Sequence, residues 1–328
     1  MKNRLTPVLW LFVGCIVLCH TRLQAQHLAK PTFKNDFSII SENDGYALAN
    51  RDGYYTNGIY LRFSHVSKQP KEGPLIKKIW KYELGQQMYT PYSGAYKLLK
   101  NFDRPFAGYL YAKVTNSSFY ANHLWELSTA VGLIGQSSMA AATQIGFHKM
   151  MKGYIPKGWN TQIESGPTVN LGVQYVKPLL AKPYKNFVDV HAIGQVNIGT
   201  VFTNASVSMA TRIGLMEPMH QSAFWGSRLH NGTKESYKHR TEIFLSIQPT
   251  VQYQLYDATI QGSLIDKNKD AIVSDINPLV FQCNIGLHIA RPRWGAAVVF
   301  VHRSRDAVTM RENEEYGSLQ FTYRMCKN

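Results

Sequence analysis

Three groups of side chains in this sequence are suited to chemistry. Glu42-Asn43-Asp44 closes the strand-like run that begins at Phe33, and Tyr54-Tyr55-Thr56-Asn57-Gly58 opens the next one. Adjacent strands would set these polar groups side by side. Carboxylate, amide and hydroxyl oxygens are hard ligands, which suit Ca2+ rather than Zn2+. The same groups also suit a polar barrel lumen or a turn, since Asn-Asp-Gly is itself a turn signal. His148 follows Gln144 by four residues, so a helix puts both on one face. A neutral imidazole there can take a proton from water. Lys97 follows Tyr92-Ser93-Gly94-Ala95-Tyr96 in a loop-like stretch, where it suits either a lipid phosphate or bulk solvent.

The elements that must hold these residues read almost entirely as strands. About a dozen segments carry period-two character, among them 58–65, 80–85, 109–114, 123–128, 169–176 and 187–192. Others are 200–212, 242–256, 280–288, 295–302 and 318–323. Tight links such as Arg291-Pro292-Arg293 and the 197–199 region alternate with long ones such as 215–240. This is the pattern of an all-β, antiparallel transmembrane barrel of the outer membrane, with Tyr and Trp near strand ends as an interfacial girdle. A β-sandwich is the alternative. One stretch, Ser137–Met151, is Ala-rich and reads as a short helix in an outer loop, with Ser137 or Ser138 as its cap.

Composition agrees with export to a membrane. Met1-Lys2-Asn3-Arg4, an apolar run from Leu5 to Leu18 and the small Ala25 predict a signal peptide over 1–25, followed by one domain over 26–328. The apolar run falls short of the roughly 20 residues of a spanning helix. Cys15 and Cys19 lie in that leader, which leaves Cys283 and Cys326 and no disulfide framework. The chain has 36 Lys and Arg against 21 Asp and Glu, a formal charge of +15; loss of Lys2, Arg4 and Arg22 with the leader leaves +12. The basic residues are spread rather than clustered on a small module. They suit an anionic membrane surface and exclude a nucleic-acid partner.

Several stretches, taken in order, resemble the outer-membrane lipid A 3-O-deacylase (LpxR) family. They are Glu42-Asn43-Asp44, Tyr55-Thr56-Asn57-Gly58, Tyr89 to Gly94, Asp103-Arg104-Pro105-Phe106-Ala107-Gly108, Gly132 to Gly135, Gln144-x-x-x-His148 and Gly158 to Glu164. The segments 203–214 and 314–323 match less specifically. The resemblance implies a 12-stranded barrel in the Gram-negative outer membrane. It implies a Ca2+-dependent esterase that removes the 3′ acyloxyacyl chain of lipid A, with lipopolysaccharide and outer-membrane lipids as partners. Carried over by position, His148 is the catalytic histidine. Asn43, Asp44 and Thr56 form the active-site cluster, Gln144 is the helix neighbour, and Lys97 is the loop lysine near the substrate. Six residues after His148 stands Tyr154, where a member of the family has a glutamate. Glu164 is then expected to join Asn43 and Asp44 at the metal or to orient His148.

Two other readings compete. His302-Arg303-Ser304 offers a His-x-Ser pair on one strand face, as in an outer-membrane serine phospholipase, although Arg305-Asp306 follows where that family has Asn-Gly. A porin or structural barrel without catalysis is the third. A 12-stranded barrel is narrow enough for side chains to fill it.

Overall fold

The computed structural model describes residues 33–47, 53–67, 73–92, 102–150, 152, 154–180, 187–230, 241–264 and 272–326. The proposed leader and Lys97 lie outside the described residues. Twelve strands run in order: β1 Phe33–Asn43, β2 Tyr54–Val66, β3 Leu75–Thr90, β4 Ala107–Tyr120, β5 Leu124–Ile134, β6 Gly166–Pro178, β7 Val188–Gly199, β8 Phe202–Leu215, β9 Glu242–Asp257, β10 Leu279–Ala290, β11 Trp294–Arg303 and β12 Glu314–Cys326. Each pairs antiparallel with its sequence neighbours, and β1 pairs with β12 to close the barrel. Closure gives every strand two hydrogen-bonding neighbours, as a membrane interior demands. No described helix is long and apolar enough to cross a membrane.

The strands outrun the clearest alternating segments of the sequence. The run 80–85, for example, is the middle of the 16-residue β3. The two faces explain why. Facing out, Ile39, Leu61, Leu84, Ala112, Val131 and Val169 are register partners in one apolar row. Most of them are exposed, as lipid-facing residues are. Facing in, the barrel is polar and paired: Glu83 takes Arg62 at 2.5 Å and Lys113 at 2.8 Å, and Lys81 reaches Glu126 at 2.7 Å. These inward charges sit beside apolar neighbours and lower the hydropathy of every window.

The barrel has a terminal end, which holds Phe33 and Cys326, and a distal end, which holds Asn43. The long link 216–241 falls at the terminal end, and the two-residue link Thr200–Val201 at the distal end. These two links depart from the expected pattern, which the distal links 91–106, 135–165 and 258–278 follow. Residues 216–230 turn back into the barrel instead of standing outside it. Met219, Trp225 and Leu229 pack among the inward residues Phe33, Ile79, Phe119, Leu124 and Ile193. One carboxylate anchors the turn: Glu242 accepts from Glu217 N–H, Ser222 Oγ and Ala223 N–H, each at 2.8 Å, and from Arg228 at 2.7 Å. Arg212 adds an ion pair to Asp189 and donates to Ser222 Oγ at 2.5 Å.

The distal end is covered by three links. Asp103 accepts from Tyr54 OH and Tyr92 N–H, both at 2.8 Å, and its carbonyl accepts from Thr309 at 2.5 Å. Arg104 is fully buried. It lies 4.7 Å over the Tyr89 ring and 3.8 Å from both Asp306 and Glu314. Those carboxylates hold its guanidinium above its ordinary pKa, against the effect of burial.

A lumen filled at both ends predicts no steady ion conductance in planar bilayers; stepwise channel currents from the purified protein would contradict this. Glu242→Ala would remove the buried carboxylate that Arg228, Ser222 and the Glu217 and Ala223 N–H groups share. A loss of about 3–5 kcal/mol is expected, read as an earlier midpoint in urea unfolding from detergent micelles.

Candidate active site

The register assembles the site. Asn43 pairs with Asn57, Asn57 with Met88, and Met88 with Gly108. Side chains on directly paired residues share a face, so these four positions form one outward row at the distal rim. Asn57 is one strand from Met88 and Asn43 two, roughly 5 and 10 Å along the wall. The helix α1, Ala140–Met150, closes over the other end of the row. Met88 packs with Phe106, Ala140 and Trp159, and Gln86 donates to Ser138 O at 2.7 Å.

Gly108 makes this seat possible. A Cβ there would lie 2.1 Å from Ser138 Oγ and 2.3 Å from Ala140 Cβ. Phe106 stacks near Trp159 with ring centroids 5.1 Å apart. The stretch from Asp103 to Gly108 therefore has two jobs. Asp103 and Arg104 tie the distal cap, while Phe106 and Gly108 seat the helix.

The helix begins three residues later than Ser137. Gly135–Ser138 form a 3-10 turn, and Met139 at φ +58° takes the chain out of a helical path before Ala140. Ser138 Oγ still approaches Ala140 N–H at 3.4 Å.

On the β1–β2 side, Asn43 Nδ2 donates to Thr56 O at 2.9 Å, and Asn43 Oδ1 accepts from Gly45 N–H at 2.8 Å. Asp44 is buried, and its two oxygens accept from Gly45 and Gly53 N–H, both at 2.8 Å. Thr56 is buried at a β-bulge, where Tyr55 and Asn57 face consecutive residues of β3. A bulge of this kind re-aims side chains at a strand end. Asn57 Oδ1 is buried without a hydrogen-bond partner. The sequence named Asn57 only as part of a motif, and nothing in it distinguishes an unpaired amide oxygen.

On the helix side, His148 Nδ1 stands 2.7 Å from Tyr154 O. A carbonyl can only accept, so Nδ1 carries the hydrogen and Nε2 is the basic nitrogen of the neutral ring. The Tyr154 ring also meets the imidazole edge-on at 4.9 Å. The main chain at position 154 thus fixes the tautomer, a task a carboxylate side chain would otherwise serve. Gln144 is buried on the same helix face; Trp159 Nε1 donates to its Oε1 at 2.7 Å, and its Nε2 is buried without a partner. That bond settles which way the amide points.

The structure brings Asn43, Asp44 and Thr56 together on β1–β2, and Gln144 and His148 together on α1. Glu164 stands elsewhere. The preceding Ile163 N–H donates to Phe106 O at 3.0 Å, and Glu164 O lies against Gly135, where φ is +74°. Its main chain is therefore at the β4–β5 rim, with β2 and β3 between it and Asn43. Lys97 cannot be placed among the described residues.

The donor set fits a hard cation. Asn43, Asp44, Thr56 and Asn57 offer only oxygen ligands, one of them unpaired. Among the described residues, no three His, Cys, Asp or Glu side chains gather as a metal cluster. The His302–Ser304 pair is otherwise engaged. Ser304 Oγ accepts from Phe281 N–H at 2.9 Å, and His302 faces Glu315 at 3.2 Å.

A closed twelve-stranded barrel with an apolar outer wall, a filled polar interior and a polar row beneath a wall-bound helix defines an outer-membrane β-barrel protein. Residues 11–325 match the family model described as outer membrane protein LpxR, and the chain belongs to the LpxR family. Its fold is similar to that of LpxR from Salmonella typhimurium: the TM-score is 0.72 at 18% identity, covering 88% of this chain and 100% of that one. More distant barrels include the beta domain of the Bordetella autotransporter BrkA, at TM-score 0.45 and 7% identity, covering 89% of this chain and 98% of that one. The KdgM porin stands at TM-score 0.38 and 7% identity, covering 88% and 99%. No curated protein sequence matches the chain.

Gly108→Val should lift α1 from the wall while the barrel still closes. Limited proteolysis within 140–157, with unchanged heat-modifiable migration, checks this; a helix as protected as in the native chain would show that the seat tolerates the added atoms.

Proposed function

We propose that this protein is a lipid A deacylase. In this reading it hydrolyses the 3′-acyloxyacyl ester of lipid A in the outer leaflet, with Ca2+ as cofactor and His148 as general base. The observation that carries the reading is that two half-sites belong to one outward row: the oxygen-rich pair Asn43–Asn57, and, seated on Met88 and Gly108 further along it, the helix that holds Gln144 and a tautomer-fixed His148. Both lie on the lipid side of the barrel, where an acyl ester can arrive without leaving the membrane. Family membership supplies the substrate class.

His148 Nε2 takes a proton from a water molecule as that water attacks the ester carbonyl carbon. The developing negative charge on the carbonyl oxygen needs donors already in place. Gln144 Nε2 is one: its oxygen is held by Trp159, its nitrogen has no other partner, and it lies one helical turn from His148. The protonated imidazole then returns its proton to the departing sugar oxygen. No serine nucleophile is required. Asn43, Asp44, Thr56 and Asn57 would hold Ca2+, which when bound supplies Lewis-acid polarisation of the ester carbonyl. Lys97 would meet a substrate phosphate, and Glu164 would complete the metal shell or act on His148 only if its loop moved toward the outward row.

The serine phospholipase reading is less well supported, because His302 Nε2, the nitrogen a serine would need, faces Asn313 Nδ2 at 3.5 Å, and Ser304 Oγ bonds to Phe281 N–H. The porin reading runs against a lumen filled at both ends.

Mass spectrometry of lipid A from cells that express the full chain tests the proposal. Loss of one acyloxyacyl mass is expected. His148→Ala should slow it by about 10²–10⁴-fold, and Gln144→Glu, which replaces the donor with an acceptor, by about 10²–10³-fold. Asp44→Ala and chelation of Ca2+ should each abolish it. Unchanged lipid A from a correctly inserted native barrel would overturn the proposal. Deacylation that survives in both His148→Ala and Asp44→Ala would overturn the assigned roles.

A further inference from the structure

Helix α1 turns one face to the wall and leaves another uncovered. Ala140, Gln144 and His148 follow each other at four-residue steps toward the barrel. Thr143, Phe147 and Met150, spaced four and three residues apart, form a second stripe, and Met150 is 71% exposed. Met139, Tyr154 and Ile155 extend that apolar surface before and after the helix, all exposed. Exposed apolar groups this dense are unusual on a water-facing loop. The stripe also flanks the candidate base: His148 lies between the Phe147 ring at 6.3 Å and the Tyr154 ring at 4.9 Å, edge to face in both cases.

Charge on the same segment is of one sign. Lys149, Lys152 and Lys157 are exposed, and the sequence has no Asp or Glu between Glu126 and Glu164. The segment also continues the lipid-facing wall. α1 rests on Gly108 and Met88, and the outward partners two residues below them are Leu110 and Gln86, with Leu133 next in the same row. The exposed row Leu84–Val131 follows immediately. An apolar stripe with lysines at its edge, set at the top of a membrane belt, has the make-up of an interfacial helix.

We propose that the exposed face of α1 and the segment after it dock onto the phosphate-bearing outer surface of the lipid leaflet. Phe147, Met150, Tyr154 and Ile155 enter the acyl boundary, and Lys149, Lys152 and Lys157 meet anionic lipid phosphates. The surface would draw lipid up to His148. Docking itself depends on lipid chemistry and not on whether the protein hydrolyses an ester.

A depth-quenching experiment on the full chain tests this. In a Cys283→Ala, Cys326→Ala background, a fluorophore is placed through Met150→Cys, with Leu133→Cys as the belt control and Val308→Cys, exposed on a distal loop, as the solvent control. The protein is reconstituted into phosphatidylcholine vesicles, with or without phosphatidic acid, that contain spin-labelled acyl chains. The probe at 150 should be quenched almost as strongly as that at 133, and more so with phosphatidic acid. Each lysine near an anionic surface is worth about a fivefold change in partitioning. Lys149→Gln, Lys152→Gln and Lys157→Gln together should therefore lower the docked fraction by about a hundredfold in equilibrium constant. Quenching at 150 no stronger than at 308 would overturn the docking. Quenching indifferent to phosphatidic acid and to the triple substitution would overturn the phosphate contact. A docked helix on a protein that leaves lipid A intact would refute the deacylase reading while sustaining this one.

Discussion

The closed hydrogen-bond ladder is the constraint on which the rest of this structure depends. No backbone group can be left unpaired inside a membrane, so the twelve strands must form an unbroken ring. Once the ring closes, a period of two decides the face of every side chain, and a slip of one residue would reverse them all. The row Asn43, Asn57, Met88, Gly108 exists only because four strands hold this one register. It places amide oxygens at one end and a glycine seat for α1 at the other. The Thr56 bulge is one of the local departures from the ladder, and it falls at the candidate site.

The two faces of the wall have been put to different uses. Inside, charge is spent on filling space. The Glu83 trio and the Glu242 anchor hold long polar side chains in fixed positions, and the returning segment 216–230 closes the terminal end. Outside, the middle of the wall is apolar and polarity is kept to the rims, Asn43 and Asn57 at the distal one and Asn35 and His65 at the terminal one. In the proposed function, chemistry on the outer wall would need no opening in the barrel, and a lipid substrate would come sideways, through the leaflet, and not along the lumen.

Small main-chain details set the reactive groups. Tyr154 contributes its carbonyl, not its hydroxyl, to orient His148. Trp159 turns the Gln144 amide by binding its oxygen. Gly45 and Gly53 hold the Asp44 carboxylate through their N–H groups. These contacts join residues 1 to 15 apart in the chain, but they depend on the path the links take at the rim, which residue spacing does not announce.

Much of the barrel was legible in the sequence. The alternation in runs such as 58–65 and 169–176, with charge low and aromatics frequent, already implied an antiparallel barrel, because side chains on a strand must alternate between lipid and interior. The ordered motifs named Asn43, Asp44, Thr56, Gln144 and His148 as candidates, since residue type and order along the chain are local information. Only the tertiary structure decided on which face they lie and which of them meet. It set the 216–230 link inside the barrel, began α1 at Ala140 and kept Glu164 at the β4–β5 rim. It also made Gly108 a seat and left the Asn57 amide oxygen without a hydrogen-bond partner. Those outcomes rest on register and on contacts between strands far apart in sequence, and the chain carries no nearby residue that records them.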